Sequence, residues 1–384
     1  MNYEYHCDTK IIMGPGKSKD LPEIISEYIN IGETVMVVTD SGIKDAGLVD
    51  PIEMNLKNSG YKVISYNEIS PNPRDTECLK GASLYQSTNA SAVIAVGGGS
   101  PMDTAKAIAL LGPNGGSPEE YNNGERNYAN ISPVICVPTT AGTGSEVTRS
   151  SVITLEESHA KITLKSPLLR PTIAVLDPEL TLSVPKSITA ATGVDALVHA
   201  IEGYTCTVTN PISQAMGKSA MSIIVDYLPK VYQDGKNLDA RYKMQEGSLL
   251  AGLCFGSADV ASVHCLSEAL SSLYDTPHGV ANAIFLPHVV KFNAVENKPL
   301  HAEISKIMQF AKQNDTDEIA IEKLIKGLYT LTNDLGIPSL KELGYVKTEH
   351  FEQMANLAKQ NNSTPSNVRP ITEKDYLVIL KEAY

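Results

Sequence analysis

The chain has 384 residues, 42% of them apolar, and a formal net charge of −12. That length supports two domains with separate cores, and such a charge excludes nucleic acid and anionic membrane surfaces as general partners. No apolar run reaches membrane-spanning length. The first ten residues are polar and mixed, with no signal-peptide pattern. The cysteines Cys7, Cys78, Cys136, Cys206, Cys254 and Cys265 include no C-x-x-C pair, so reduced core thiols and a cytoplasmic location are expected.

In chain order, residues 10–13 read as an edge strand leading into Gly14-Pro15-Gly16. The following Gly16-Lys17-Ser18 lacks the upstream glycine of a G-x-x-x-x-G-K-[ST] phosphate loop, Ile11 standing in its place. Apolar runs at 34–40 (ending in an acid), 62–66, 92–96, 134–137 and 174–177 are interleaved with helical patterns at 49–58, 75–89 and 101–111. This alternation predicts a parallel sheet covered by helices, with ligands bound beyond the carboxyl ends of the strands. Asp40 stands at such an end. It is either the acceptor of two ribose hydroxyls of an adenosine, which favours NAD over NADP, or the cap of a following helix.

Residues 91–103 read strand, Gly97-Gly98-Gly99, helix. Ser100 suits the N-cap, Pro101 the first helical position and Asp103 the far end of a capping box. Three glycines exceed what a cap needs. Their amides can approach a pyrophosphate at a helix N-terminus, although the spacing is not G-x-G-x-x-G. The strand at 134–137 runs into a loop dense in hydroxyls, with Thr139, Thr140, Thr143, Ser145 and Thr148. This loop suits phosphate oxygens and a nicotinamide ribose; a plain polar connector is the alternative.

After Pro185 strand signals stop. Helical patterns occupy 188–205, 210–228, 238–253, 258–273, 302–313, 317–335, 348–357 and 373–383, which sets domains at 1–185 and 186–384. Asp195 and His199 are four apart and share one helix face. A carboxylate and an imidazole so placed are half of a divalent metal site. His264, in an apolar helix, and His278, in a turn or at a helix start, complete a set of nitrogen and oxygen donors suited to Fe²⁺, Zn²⁺, Mn²⁺ or Co²⁺. Taken singly, each histidine is more often structural than a ligand, and His288 is close enough in sequence to His278 to line the same cleft.

The stretches 97–107, 138–148, 193–204 and 276–283 together resemble the iron-dependent (group III) alcohol dehydrogenases, close to the lactaldehyde reductase and 1,3-propanediol dehydrogenase branch. The resemblance spans the whole chain, including 364–369. It implies an N-terminal α/β dinucleotide-binding domain, its parallel sheet flanked by helices, and an all-α C-terminal metal-binding domain, with a cleft between them. It implies metal ligands at Asp195, His199, His264 and His278, with Fe²⁺ foremost. It implies NAD(H) contacts at Asp40, Asn72, Gly98, Gly99, Ser100, Asp103, Thr139, Thr140, Thr143, Thr148, Lys161 and Leu180. It further implies a short-chain primary alcohol or aldehyde as substrate, aldehyde reduction as the cell's direction, and a homodimer or larger assembly. Two departures stand out. Glu268 occupies the position, four residues after His264, where the family usually carries a second histidine, and is a candidate for catalysis, metal binding or substrate contact. Arg149, with Ser150 and Ser151, follows the hydroxyl loop and is a candidate for an anionic substrate group, such as a sulfonate or phosphonate on a short aldehyde; an arginine paired with Glu146 or facing solvent is the alternative. Other readings are a dehydroquinate-synthase-like lyase on the same architecture and a non-catalytic protein retaining the fold.

Overall fold

The computed structural model describes residues 3–384. The chain divides into two compact units: 7–140 with 144–184, and 185–384 with 141–143 and the segment up to His6.

The first unit is built on strands β1 (Lys10–Met13), β2 (Thr34–Val38), β3 (Lys62–Tyr66), β4 (Ala90–Gly97), β5 (Val134–Pro138) and β8 (Ile173–Leu176), ordered β1-β8-β5-β4-β2-β3. Every pairing in this sheet is parallel. Helices α1 (Leu21–Ile25), α2 (Ser41–Asp45), α3 (Val49–Asn58), α4 (Asp75–Ser87), α5 (Gly99–Asn114) and α6 (Pro118–Asn122) belong to the same unit. The central strands are apolar runs because both faces are covered. Val35, Val37, Ile94 and Val96 pack with Leu21, Ile25 and Leu56. Their alternate neighbours Met36, Val38, Val93 and Ala95 pack with Met102, Ile108 and Ala109. The chain leaves β2 toward β3 on one side and leaves β4 toward β5 on the other. The strand order therefore reverses between β2 and β4, and the crevice at their carboxyl ends is where such sheets take a ligand.

An antiparallel hairpin, β6 (Ser150–Thr154) with β7 (Lys161–Lys165), lies outside the main sheet. Its short, polar strands carried no apolar run for a sequence reading to find. The expected capping box at Ser100 is corrected. Helix α5 begins at Gly99, with Gly98 as its N-cap and no side-chain cap. The Ser100 hydroxyl instead donates to the Pro71 carbonyl. Asp103 accepts from the Ser145 hydroxyl at 2.6 Å and the Val152 amide at 3.0 Å. Gly97 has φ 154°, and a Cβ there would meet the Pro101 ring at 2.6 Å. Glycine thus lets the chain turn directly from strand to helix. The Gly16 and Ser18 amides are both taken by the Asp177 carboxylate, at 2.9 and 3.0 Å.

The second unit is helical: α7 (Lys186–Thr205), α8 (Pro211–Gln233), α9 (Leu238–Phe255), α10 (Ser262–Tyr274), α11 (His278–Asn293), α12 (Lys298–Ile307), α13 (Asp317–Asp334), α14 (Phe351–Gln360) and α15 (Glu373–Glu382). The main core joins Val194, Leu197, Val198 and Ile201 of α7 to residues such as Met221, Leu266, Phe285 and Tyr376. The sequence predicts no helix over α11, only a turn or helix start at His278. The apolar residues of α11 surround the axis instead of forming one stripe, and Pro287 lies within it, so neither period nor punctuation announced it. The expected helix at 302–313 is shifted to Lys298–Ile307, because Asn297 caps it by accepting from the Leu300 amide. Among the described residues, no helix is long and apolar enough to cross a membrane.

Candidate active site

Asp195 and His199 project from the buried middle of α7, His264 from the first turn of α10, and His278 from the start of α11. One ligand atom from each lies within 4.8 Å of all the others. Two close approaches allow this. A Cβ on Gly279 would lie 2.9 Å from the Ala191 carbonyl, so glycine lets the start of α11 rest on the α7 backbone. A Cβ on Gly142 would be 2.6 Å from the Thr192 side chain, which brings the Gly142 carbonyl against α7.

Each imidazole has its Nδ1 engaged by the protein. His199 Nδ1 is 3.2 Å from the Gly142 carbonyl, His264 Nδ1 is 2.6 Å from Glu202 Oε2, and His278 Nδ1 is 3.3 Å from the Ser267 hydroxyl. With Nδ1 carrying the proton, all three Nε2 atoms are left as lone-pair donors. Burial pushes the His199 imidazole down to about 4, against the opposing charge of Asp195, so it stays neutral at physiological pH. Burial also disfavours the charged form of His264, but the Glu202 hydrogen bond and charge outweigh it and raise that imidazole. The rings form a row: Phe255 stacks on His199 at 4.2 Å, and the His199–His264 and His264–His278 centroids are 4.8 and 5.2 Å apart.

Asn282, one turn beyond His278 and fully buried, was not singled out from the sequence. Its Nδ2 lies 2.6 Å from Asp195 Oδ1, 3.2 Å from His264 Nε2 and 3.1 Å from His278 Nε2. Its Oδ1 is buried without a partner. The i, i+4 spacing from His278 was the signal available. Three imidazole nitrogens, one carboxylate oxygen and an unpaired amide oxygen beside them form a donor set that fits a borderline divalent cation. Glu202 was missed as well. It sits seven residues after Asp195 on the same helix and accepts from the Ala261 and Val263 amides at 2.8 and 2.7 Å, besides His264.

In the first unit, Asp40, Gly98, Gly99, Ser100, Thr139 and Thr140 follow the carboxyl ends of β2, β4 and β5, while Asn72 follows β3, Lys161 opens β7 and Leu180 follows β8; Thr143 belongs to the helical unit. Asp40 caps α2, accepting from the Ile43 amide at 2.9 Å. Gly98 approaches Thr140 so closely that a Cβ would be 3.4 Å from its hydroxyl. The Thr139 hydroxyl is buried without a partner, while its amide donates to the Gly97 carbonyl. Lys161 donates to Asn72 at 3.0 Å, next to Pro71, which receives Ser100. This glycine turn with an orphaned hydroxyl is a cradle that fits a dinucleotide phosphate. Asp103 and Thr148 serve differently from the rest. Both surround Lys106, whose buried ammonium donates to Ser145 at 2.7 Å, Thr148 at 3.3 Å and the Ser150 carbonyl at 2.7 Å. Burial lowers the pKa of Lys106, opposed by Asp103. Leu180 is packed against the core of the unit.

His288 lies outside the ligand cluster, with Nδ1 3.1 Å from the Tyr329 hydroxyl. Burial pushes it down to about 4. Because this folded value lies below the unfolded 6.5, the unfolded chain binds the extra proton between those limits, and stability falls as pH drops through that window. Replacing His288 with glutamine therefore reduces the acid sensitivity between pH 6.5 and 4 by on the order of 2 kcal/mol, allowing for solvent screening. Urea midpoints of both proteins at pH 7 and pH 4.5 test this; parallel losses would refute it.

The family model for "Iron-containing alcohol dehydrogenase" matches residues 8–178, and that for "Fe-containing alcohol dehydrogenase family, C-terminal" matches 189–384. The chain belongs to the iron-containing alcohol dehydrogenase family. It is 37% identical over 352 residues to a choline dehydrogenase of Bacillus subtilis (strain 168), covering 91% of this chain and 87% of that protein. It is 37% identical over 357 residues to a 1,3-propanediol dehydrogenase of Klebsiella pneumoniae, covering 92% of each. The crystal structure of a 1,3-propanediol oxidoreductase superposes over 100% of both chains with TM-score 0.95 and 34% identity. This iron-type alcohol dehydrogenase is thus an NAD-linked, metal-dependent oxidoreductase acting between alcohols and aldehydes. The lyase and anionic-aldehyde alternatives are not favoured.

Proposed function

We propose that the alcohol dehydrogenase transfers hydride between NAD(H) and a short-chain primary alcohol or aldehyde, with aldehyde reduction as its main direction. In this reading residues 1–185 hold the nicotinamide cofactor and 186–384 hold the metal. Asp195, His199, His264 and His278 ligate the cation; Asp40, Asn72, Gly98, Gly99, Ser100, Thr139, Thr140, Thr143, Lys161 and Leu180 form the cofactor site, and Asp103 and Thr148 support it from around Lys106. The observation that carries the reading is the meeting of four ligand atoms within 4.8 Å, each imidazole turned by an Nδ1 partner. The Bacillus and Klebsiella relatives are named for choline and 1,3-propanediol, both short primary alcohols.

When bound, a divalent cation polarises the substrate oxygen and NAD(H) carries the hydride. The protein's part is to orient and to exclude. Glu202, Gly142 and Ser267 hold the imidazoles with Nε2 toward the common centre. Asn282 holds the Asp195 carboxylate. Lys106 and Asp103 brace the hydroxyl loop through Ser145, keeping Thr139 and Thr140 beside the glycine turn. A cytoplasmic homodimer, or a larger homo-oligomer, completes the proposal.

The test is NADH consumption with short aldehydes by protein reconstituted anaerobically with Fe²⁺. Activity is expected to disappear with a chelator and return with the ion. Turnover that survives complete metal removal would rule the reading out.

A further inference from the structure

We propose that Glu268 selects substrates whose far end is positively charged, namely short primary alcohols or aldehydes bearing an ammonium or quaternary ammonium group. The inference rests on the hydride-transfer reading above and names its substrate class.

Glu268 lies one turn beyond His264 on α10, on the same helix face. It is partly exposed, and its charge acts on the His264 imidazole. Its Oε2 accepts from Asn361 Nδ2 at 2.6 Å. Asn361 is itself fixed, its Oδ1 accepting from the Ser363 amide at 2.9 Å. Ser363 and Ser366 tie the same loop to Asp259 at 3.3 and 2.7 Å. The carboxylate is therefore oriented, with its other oxygen, Oε1, left over. Among the described residues, Glu268 has no lysine, arginine or histidine partner within ion-pair distance. This separates it from Glu202, whose oxygens are filled by two amides and His264.

Glu268 is reachable by solvent, held by Asn361 and without a counter-charge, so its charge is open to a ligand that carries the opposite one. Asp195 and the three histidines already provide four donors, so no ligand is missing from the metal set. What Glu268 adds is a negative charge beside the reacting centre, attractive to a cation and repulsive to an anion.

The experiment uses Fe²⁺-reconstituted full-length protein and three probes of similar size: choline, its neutral carbon isostere 3,3-dimethyl-1-butanol, and 2-hydroxyethanesulfonate. The expected kcat/KM for choline exceeds that of the isostere by about tenfold or more, and the advantage shrinks with added salt. In Glu268→Gln the choline-to-isostere ratio collapses to within about twofold, and in Glu268→Lys the sulfonate overtakes choline. Calorimetric Kd values for the same probes with NAD⁺ present follow the same order, without reliance on turnover. An unchanged ratio in Glu268→Gln overturns the proposal. So does an equal loss for all probes with lowered iron content, which would assign Glu268 to the metal. Turnover without charge selectivity refutes this inference alone. Charge-selective binding without turnover of any probe overturns the substrate role of Glu268, while the assay with short aldehydes and Fe²⁺ tests the hydride-transfer reading separately.

Discussion

Replacing His264 with alanine leaves a folded protein that no longer retains a stoichiometric divalent ion and loses about a thousandfold or more in kcat/KM, roughly 4 kcal/mol of transition-state stabilisation. His264 sits in the centre of the ring row, between His199 and His278, and Asn282 bridges its Nε2 to Asp195. Its removal takes away one of four ligand atoms and unsettles the amide that orients another. Iron content after dialysis, read beside activity with a short aldehyde, checks this. The fold should survive, because the core around Leu266, Leu270 and Phe285 is untouched. Full iron occupancy with normal activity in His264→Ala would remove His264 from the ligand set.

Glu202→Ala is expected to cost about 3–5 kcal/mol of stability, as the breaking of a buried charged network does. It strands two backbone amides at the start of α10 and the Nδ1 proton of His264, donors now satisfied at 2.8, 2.7 and 2.6 Å. Without that carboxylate the imidazole loses its orientation and part of its basicity, so metal affinity falls by about 10–100-fold. Glu202→Gln retains one acceptor oxygen and is expected to fall between the two. The measurements are denaturant midpoints and competition for iron against a chelator of known affinity. The pH dependence has a definite sign. In metal-stripped protein His264 titrates above 6.5, so its pairing with Glu202 contributes stability that is complete below 6.5 and is lost as pH rises through the folded value. Glu202→Ala should erase that component. A variant with wild-type midpoint and affinity would show that Glu202 does neither job.

The parallel sheet was legible because its central strands are covered on both faces and so read as unbroken apolar runs, separated by helical periods. Asp195 and His199 were legible as a pair because four residues is one helical turn. The triple glycine was legible as a backbone approach site because no other residue permits that turn at Gly97. Helix α11 was not, since a helix buried all round has no stripe to reveal it and Pro287 reads as an interruption. The cap at Ser100 was misplaced for a related reason. Local chemistry favoured serine, but the glycine turn let the helix start earlier, and Ser100 found the Pro71 carbonyl instead.

Residue types and spacings carry the donor chemistry: which side chains can bind a cation, and which loop can face a phosphate. They do not carry the distances among groups 65 to 83 positions apart, such as His199 to His264 and Asp195 to His278. Those distances follow from the packing of α7, α10 and α11, where Gly279 rests on the Ala191 carbonyl. Nor do they carry the partners that turn each imidazole. Glu202, Ser267 and the Gly142 carbonyl are ordinary residues along the chain, and only the folded backbone brings them to the Nδ1 atoms. The same holds for Glu268, whose neighbour Asn361 lies 93 residues away.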